Sequence, residues 1–268
     1  AQLGDTSVTD AGLQHLDGLE NLEWLILDGT KVTDVGIHEH VRHLKWLTHL
    51  DLDHSRITDD GVSQLGDLQN LTHLSLCYTP ISDNGLQTIG QLKNIESLLL
   101  DGVPITDKGL EHISGLTHLQ VLWLSDAEVT GDGLRHLSRL TALRDLELTC
   151  RHASDDDLRH LSNLTDLRTL RLSIYGMSDD GLQHLSGLTN LTSLRLYFHN
   201  ITDDGLQYLS GLTNLESLGL SHTGITDQGL KELAQWPSLK RLSIDGTNVT
   251  DEGVQELQSR RPDVNVHH

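Results

Sequence analysis

The sequence predicts an α/β fold of the solenoid type: a curved arc of strand–helix units, with a parallel β-sheet on the concave face and short helices on the convex face. Two observations carry this prediction. A triplet of isoleucine or valine, threonine or serine, and aspartate recurs along the chain, and a leucine pattern, LxxLxL, precedes most of its copies. The triplets are 24 residues apart, with a single interval of 25. Self-similarity at a fixed period of this length is typical of stacked repeats.

The triplet also sets the number and limits of the repeats. Clear copies begin at Val8, Val32, Ile57, Ile81, Ile105, Ile201, Ile225 and Val249, and weaker ones at Val129, Ala153 and Met177. We therefore expect a single repeat domain over residues 1–268 with about eleven units, the first of which, 1–21, is partial. Residues 258–268 contain Val264 and Val266 after a proline and are expected to form a C-terminal edge strand or cap.

Each part of the repeat has a physical reason. The pattern formed by Leu71, Leu74 and Leu76 places its last two leucines on one side of a short strand. Thr33 and Asp34 are residues typical of a helix start, and apolar residues then follow at helical spacing, as in GLEHISGL. Strands stack about 4.8 Å apart and helices about 10 Å apart. The stack must therefore curve, with the sheet on the inside.

These motifs resemble the leucine-rich repeat proteins, specifically those with a TDxGL helix start found in many bacterial repeat proteins and, with longer units, in F-box repeat proteins. The resemblance covers residues 3–257. It implies a binding scaffold rather than an enzyme. The F-box branch usually carries cysteine where this chain has Thr30, Thr79 or Thr223, and no F-box segment is present in the sequence. The resemblance therefore does not extend to a ubiquitin-ligase adaptor.

Composition restricts the class of partner. The formal net charge is −20 and the pI is near 5.0, which argues against nucleic acid because binding to phosphates requires a basic face. No apolar run reaches the roughly 20 residues of a membrane-spanning helix, so we expect no membrane insertion. The first ten residues, AQLGDTSVTD, already follow the repeat and carry no targeting signal. The sequence leaves the compartment and the oligomeric state open.

Several histidines, aspartates and cysteines could suggest chemistry. His38, His40 and His43 form the densest histidine group, but a metal site needs converging ligands with fixed supporting contacts, and the aspartate runs are explained by helix starts. Cys77 and Cys150 lie three repeats apart, about 14 Å along the sheet, which is too far for a disulfide. No nucleophile elbow, HExxH motif or phosphate-binding glycine loop is present. We therefore expect no catalytic residues, no metal and no cofactor.

The repeat departs from its own pattern in a cluster of consecutive units. The threonine after the strand is replaced in five of them, by Val103, Ala127, Arg151, Tyr175 and His199. The same units carry unusual residues at outward strand positions and where other repeats often have glycine. These residues are Trp123, Glu147, Arg171, Arg195, Tyr197, Asp126, Cys150, Ile174 and Phe198. Stacking predicts that they are neighbours on the concave sheet, unless they reflect drift in a tolerant scaffold.

From this cluster we predict a partner-binding surface, because tryptophan, tyrosine and arginine most often anchor interfaces. Its arginines would favour a protein partner with carboxylates or other anions on its surface. Two alternatives remain at this point, a carbohydrate or small-ligand receptor with Trp123 and Tyr197 stacked on sugar rings, and a structural spacer. The predicted partner-binding residues are Trp123, Glu147, Arg151, Arg171, Tyr175, Arg195, Tyr197, Phe198 and His199.

Overall fold

A computed structural model of the chain describes residues 1–197 and 200–268, with the backbone alone at Arg151. The described residues form an eleven-stranded sheet in which the strands follow chain order, and every recorded neighbouring pair is parallel. This confirms the predicted fold class. The strands are β1 Trp24–Ile26, β2 His49–Asp51, β3 His73–Ser75, β4 Ser97–Leu99, β5 Val121–Thr130, β6 Asp145–His152, β7 Thr169–Ile174, β8 Ser193–Tyr197, β9 Ser217–Gly219, β10 Arg241–Ser243 and β11 Asn265–His267.

Short helices follow the strands, as the repeat predicts. None of those described is both long and apolar enough to cross a membrane. The α-helices are α1 Asp10–Leu13, α2 Asp34–Glu39, α3 Asp59–Ser63, α4 Asp83–Ile89, α5 Asp107–Ile113, α6 Gly131–Leu137, α7 Asp179–Leu182, α8 Leu206–Leu209, α9 Asp227–Leu233 and α10 Asp251–Arg260. Short 3-10 helices cover Gln14–Leu16, Val41–His43, Gln64–Asp67, Asp155–Leu161, Gln183–Leu185 and Asp203–Gly205.

The chain forms two compact units, Ala1–Glu128 and Val129–His268, which we call the N-terminal and C-terminal units. In each of them the first strand leucine of one repeat pairs with its counterpart in the next, as Leu194 pairs with Leu218. These leucines are at most 2% exposed. The core of each unit is therefore a row of leucines between the sheet and its helices, as the alternation predicts.

The aspartate of the triplet joins neighbouring repeats. The Asp83 carboxylate accepts hydrogen bonds from the Thr106 backbone N–H at 2.9 Å and from the Thr106 hydroxyl at 2.6 Å. The Thr106 hydroxyl oxygen in turn accepts from the N–H of Lys108 at the start of α5. The threonine thus caps its own helix, while the aspartate of the preceding repeat orients that threonine. Equivalent links join Asp10 to Thr33, Asp34 to Thr58, Asp59 to Ser82, Asp155 to Ser178, Asp179 to Thr202, Asp203 to Thr226 and Asp227 to Thr250.

The glycine of TDxGL makes room for this aspartate. A Cβ atom on Gly205 would lie 2.2 Å from Asp179 Oδ1. In the C-terminal unit, one pair of neighbouring repeats has the glycine and the aspartate exchanged. Gly131 occupies the aspartate position of one repeat, and Asp157 occupies the glycine position of the next. There Asp157 itself accepts from the Ser154 N–H at 2.9 Å and from the Ser154 hydroxyl at 2.7 Å.

Four of the departures from the repeat lie in the core, and for Cys150 and Ile174 this contradicts the predicted outward position. Val103, Ala127, Cys150 and Ile174 are all 0% exposed. At the position of Val103 and Ala127, other repeats bury a threonine whose hydroxyl donates to the carbonyl three residues back, as Thr79 does at 2.6 Å. Apolar side chains of similar or smaller size can replace such a threonine without reaching the surface.

Cys150 and Ile174 are buried because their strands are longer. Strands β1 to β4 end directly before the second leucine of their repeat, and a residue such as Tyr78 (φ 55°), two positions after that leucine, turns the chain in the left-handed conformation. In β6 and β7 the strand continues, so the alternation carries Cys150 and Ile174 into the core. A β-branched isoleucine disfavours the left-handed conformation and favours the extended one.

We expect both cysteines to react very slowly in the native protein. Cys77 and Cys150 are not joined in a disulfide and are 6% and 0% exposed, and burial raises the pKa of Cys77 to about 11. The thiolate is the reactive form, so little of it is present at pH 8. Labelling with a chromogenic disulfide reagent should be at least about 100-fold slower than in denaturant. Rapid labelling of one or two thiols in the folded chain would contradict this burial.

Candidate partner-binding surface

Three of the predicted residues form a row on the sheet face of the C-terminal unit. The strand register pairs Glu147 of β6 with Arg171 of β7, and Arg171 with Arg195 of β8. Each lies between two buried leucines of its strand, so its side chain leaves the opposite face of the sheet. The sequence prediction that these residues point away from the core and stand side by side is confirmed.

The two arginines of the row differ in their surroundings. Arg171 Nη1 lies 3.1 Å from Asp145 Oδ1 and 3.7 Å from Glu147 Oε2, and its side chain is 26% exposed. Its charge is therefore largely balanced by two carboxylates of the adjacent strand. Arg195 is exposed, and no hydrogen bond or ion pair joins it to another residue within the described part of the chain. Arg195 thus presents the unbalanced positive charge of this row.

The other predicted residues lie outside this row. Tyr197 lies on the same strand as Arg195, is partly exposed and pairs with Ser173 in the register. Tyr175 follows β7 and is 53% exposed. Trp123 is on β5 in the N-terminal unit, where it pairs with Leu99. The predictions for Phe198, His199 and the Arg151 side chain fall outside the described residues.

The sheet face of the N-terminal unit carries a ring column that sequence reasoning missed. The rings of Trp24 and His49 stack with centroids 3.7 Å apart, and those of His49 and His73 with centroids 4.0 Å apart. Burial, followed by the charge of His73, lowers the pKa of His49. The three residues occupy the same position of the repeat, directly before the central leucine. Aligning the repeats by that leucine would have placed them side by side.

Carboxylates lie near the ring column. Burial raises the pKa of both Asp51 and Asp53, although Asp53 accepts hydrogen bonds from the Ser75 hydroxyl at 2.6 Å and the Cys77 N–H at 2.7 Å. Asp28 Oδ1 is buried and has no hydrogen-bond partner among the described residues. The face of the N-terminal unit therefore differs in charge from the arginine row.

The histidines considered for metal binding have other neighbours. His40 Nδ1 lies 2.9 Å from Asp17 Oδ1, and His38 Nδ1 lies 3.2 Å from Gln64 Oε1 and 3.3 Å from Arg42 Nη1. In residues 1–197 and 200–268, no three or more histidine, cysteine, aspartate or glutamate side chains converge as metal ligands.

Comparison with known proteins places the chain in a family. A family model described as a leucine-rich repeat region matches residues 2–249. Comparison with curated protein sequences gives no match.

Among solved structures, an internalin (inlF) from Listeria monocytogenes is similar with a TM-score of 0.62 and 22% identity, covering 93% of this chain and 81% of that one. An internalin C2 (inlC2) from the same organism has a TM-score of 0.48 and 25% identity, over 97% of this chain and 83% of that one. The first likeness supports the repeat fold. Since the family match spans nearly the whole chain, this protein belongs to the leucine-rich repeat family.

Proposed function

We propose that the chain is a non-enzymatic scaffold that binds a partner protein through the sheet face of its C-terminal unit. Membership of the leucine-rich repeat family supports a protein-interaction scaffold in general terms. The observation that carries the more specific proposal is Arg195, an exposed arginine with no ion pair among the described residues of a chain with net charge −20. An acidic protein offers many carboxylates with which an exposed arginine could pair. An arginine that pairs with none of them, and that lies beside tyrosines, is suited to binding an external partner.

Tyr175 and Tyr197 extend this surface. A tyrosine offers a large contact area with few rotatable bonds and one hydrogen-bonding group, which suits it to interfaces. Arg171 contributes differently, because Asp145 and Glu147 already balance its charge. We therefore assign the central role to Arg195 and expect Arg171 to shape the surface rather than to attract the partner.

The partner can be identified by placing a photo-crosslinking amino acid at Tyr175, with a matched chain that carries it at Lys108, an exposed residue of α5 in the N-terminal unit. Illumination in the source cell should attach a partner protein at position 175 and not at position 108. Purified partner can then be titrated against single variants.

We expect Arg195→Ala and Tyr197→Ala to weaken binding of that partner roughly 30-fold or more, since truncating a hot-spot residue costs about 2 kcal/mol or more. Lys31→Ala and Arg56→Ala remove exposed charges from the N-terminal unit and should leave binding within about twofold of the unaltered chain. Equal binding by all four variants, each melting like the unaltered chain, would refute the proposal.

A further inference from the structure

A small hollow lies on the sheet face of the C-terminal unit, beyond the arginine row. Its volume is about 200 Å³, and its lining includes Arg195, Ser217, Gly219, Arg241 and Ser243. These residues come from three consecutive strands, β8, β9 and β10. Small-molecule sites usually enclose roughly 300–1,000 Å³, so the hollow is of a size for a single side chain or one small charged group.

Gly219 creates the hollow. It pairs with Arg195 in the register, and the equivalent position on the other strands of the row carries a side chain, Glu147, Arg171 or Arg195. Glycine inside a strand weakens it and often marks a place where another group approaches the backbone closely. A Cβ atom on Gly219 would lie 3.0 Å from Arg195 Cγ, which shows that the Arg195 side chain leans over this gap.

Three side chains of the lining have hydrogen-bond donors that no residue in the described chain uses. Arg195 and Arg241 are both exposed, and within residues 1–197 and 200–268 neither side chain makes a hydrogen bond or a close ion pair. The Ser217 side chain belongs to a residue that is only 8% exposed, and among the described residues its hydroxyl has no recorded partner. The Ser217 hydroxyl is therefore available to an incoming acceptor, and the two arginines that line the hollow with it favour an oxyanion.

Nearby carboxylates are already engaged. Asp245 Oδ2 accepts from the Ser243 hydroxyl at 3.1 Å and from the Ser221 hydroxyl at 3.4 Å. Glu216 lies 2.9 Å from Lys240 Nζ, and Arg241 adds a weaker attraction. Arg195 and Arg241 line the hollow, and Lys240 already balances Glu216. Asp245 is then the one remaining carboxylate of the two, so an incoming anion still meets a net positive charge.

We propose that this hollow binds an oxyanion, a carboxylate or a phosphate, borne on a side chain of the partner protein. The proposal rests on the proposed function in one respect, because the anion is assigned to the partner. It adds a defined subsite in which Arg195 and Arg241 hold the charged group and the Ser217 hydroxyl donates to it. The bare backbone at Gly219 lets the group approach the sheet.

Nuclear magnetic resonance titration tests the subsite without the partner. The probes are N-acetylglutamate amide, N-acetylphosphoserine amide and, as the neutral analogue, N-acetylglutamine amide. Either acidic probe should produce saturable shifts at the Gly219 amide and at the Nε–H groups of Arg195 and Arg241, and the stronger of the two identifies the anion. Affinity should fall with added salt, because the charges are exposed to solvent. The glutamine derivative should produce no saturable shift.

Two variants and one control define the site. Arg241→Gln should weaken the acidic probe at least tenfold, and Gly219→Thr should do the same by filling the hollow. Other strands carry a side chain at the Gly219 position, so we expect that variant to fold. Arg139→Gln removes an exposed charge of the same unit outside the hollow and should bind the probe as the unaltered chain does.

The proposal is overturned if the unaltered chain shows no saturable shift, if the glutamine derivative binds equally well, or if Arg241→Gln retains the affinity. Should Gly219→Thr fail to fold, Arg241→Gln still decides. If the probes do not bind, the anion subsite is refuted, while the crosslink at position 175 can still support the proposed function. If the crosslink is absent but the probes still bind, the protein partner is refuted and the anion subsite remains.

Discussion

Gly205→Ala should destabilise the C-terminal unit by about 3 kcal/mol. The added methyl group would lie 2.2 Å from Asp179 Oδ1, so the carboxylate must leave the position in which it accepts from the Thr202 N–H and hydroxyl at 2.8 and 2.6 Å. Overpacking costs roughly 1–3 kcal/mol, and a lost hydrogen bond to a charged group costs about 1.5–3 kcal/mol.

Gly211→Ala is the matched control for this prediction. Gly211 lies in the same repeat, and a Cβ atom there would meet no other atom within 4 Å. Its substitution should be neutral, or stabilising by about 0.4–1 kcal/mol, because alanine restricts the unfolded chain. Denaturant unfolding of both variants gives the comparison. Equal midpoints would mean that the glycine does not serve to accommodate the aspartate.

The fold and the buried leucines could be predicted from the sequence because they depend on a period and on strand alternation alone. Leu170, Leu194 and Leu218 occupy one position of the repeat and form one buried row. Stacking the same unit many times amplifies a weak local signal, since every copy must bury the same positions. The outward direction of Arg171 and Arg195 follows from the same alternation.

The departures from the repeat were predicted less well because they depend on the backbone after the strand. His54 and Tyr78 take the left-handed conformation there, with φ of 52° and 55°, whereas Ile174 continues the strand. That choice shifts which residue faces the core by one position, so Ile174 is buried and Tyr175 exposed. Counting residues along the template cannot reveal such a shift, although the change from glycine or histidine to isoleucine indicates it.

The candidate surface was predicted in part. Register placed Glu147, Arg171 and Arg195 together, but the sequence did not indicate that Arg171 is balanced by Asp145 while Arg195 stays unpaired. That difference depends on side-chain geometry between neighbouring strands. Gly219 was not among the predicted residues, because the prediction of an interface depends on large side chains, although a missing side chain at an outward position is equally visible in the aligned repeats.

Exchanging Gly131 and Asp157 should show strong coupling between the two positions. Gly131→Asp alone would place a Cβ atom 2.1 Å from Asp157 Oδ2, adding steric overlap and repulsion between carboxylates. Asp157→Gly alone would remove both hydrogen bonds from Ser154 and add a helical glycine, which costs about 1 kcal/mol relative to alanine. Each single variant should lose roughly 2–3 kcal/mol of unfolding free energy.

The double variant, Gly131→Asp with Asp157→Gly, should recover most of that loss, because it recreates the arrangement of the other repeats, in which the aspartate of one repeat holds the cap residue of the next. We expect a coupling energy of about 2 kcal/mol or more from denaturant unfolding, within the range for directly interacting residues. Gly211→Asp combined with Asp157→Gly is the control and should be additive, since Gly211 has no neighbour within 4 Å of its added Cβ atom.

Acid provides a second measurement of the Asp157 contact. The backbone and then the hydroxyl hydrogen bond of Ser154 lower the pKa of Asp157 from its usual 3.8. A carboxyl group with a lowered pKa in the folded chain stabilises it above the unfolded pKa and loses that effect as the pH falls through the folded value. The difference between the unaltered chain and Asp157→Gly should therefore be complete at pH 7 and shrink below about pH 4. Two results together would show that the carboxylate is not what holds Ser154 in place. The stability difference would stay constant below about pH 4, and the effects of Gly131→Asp and Asp157→Gly would be additive in the double variant.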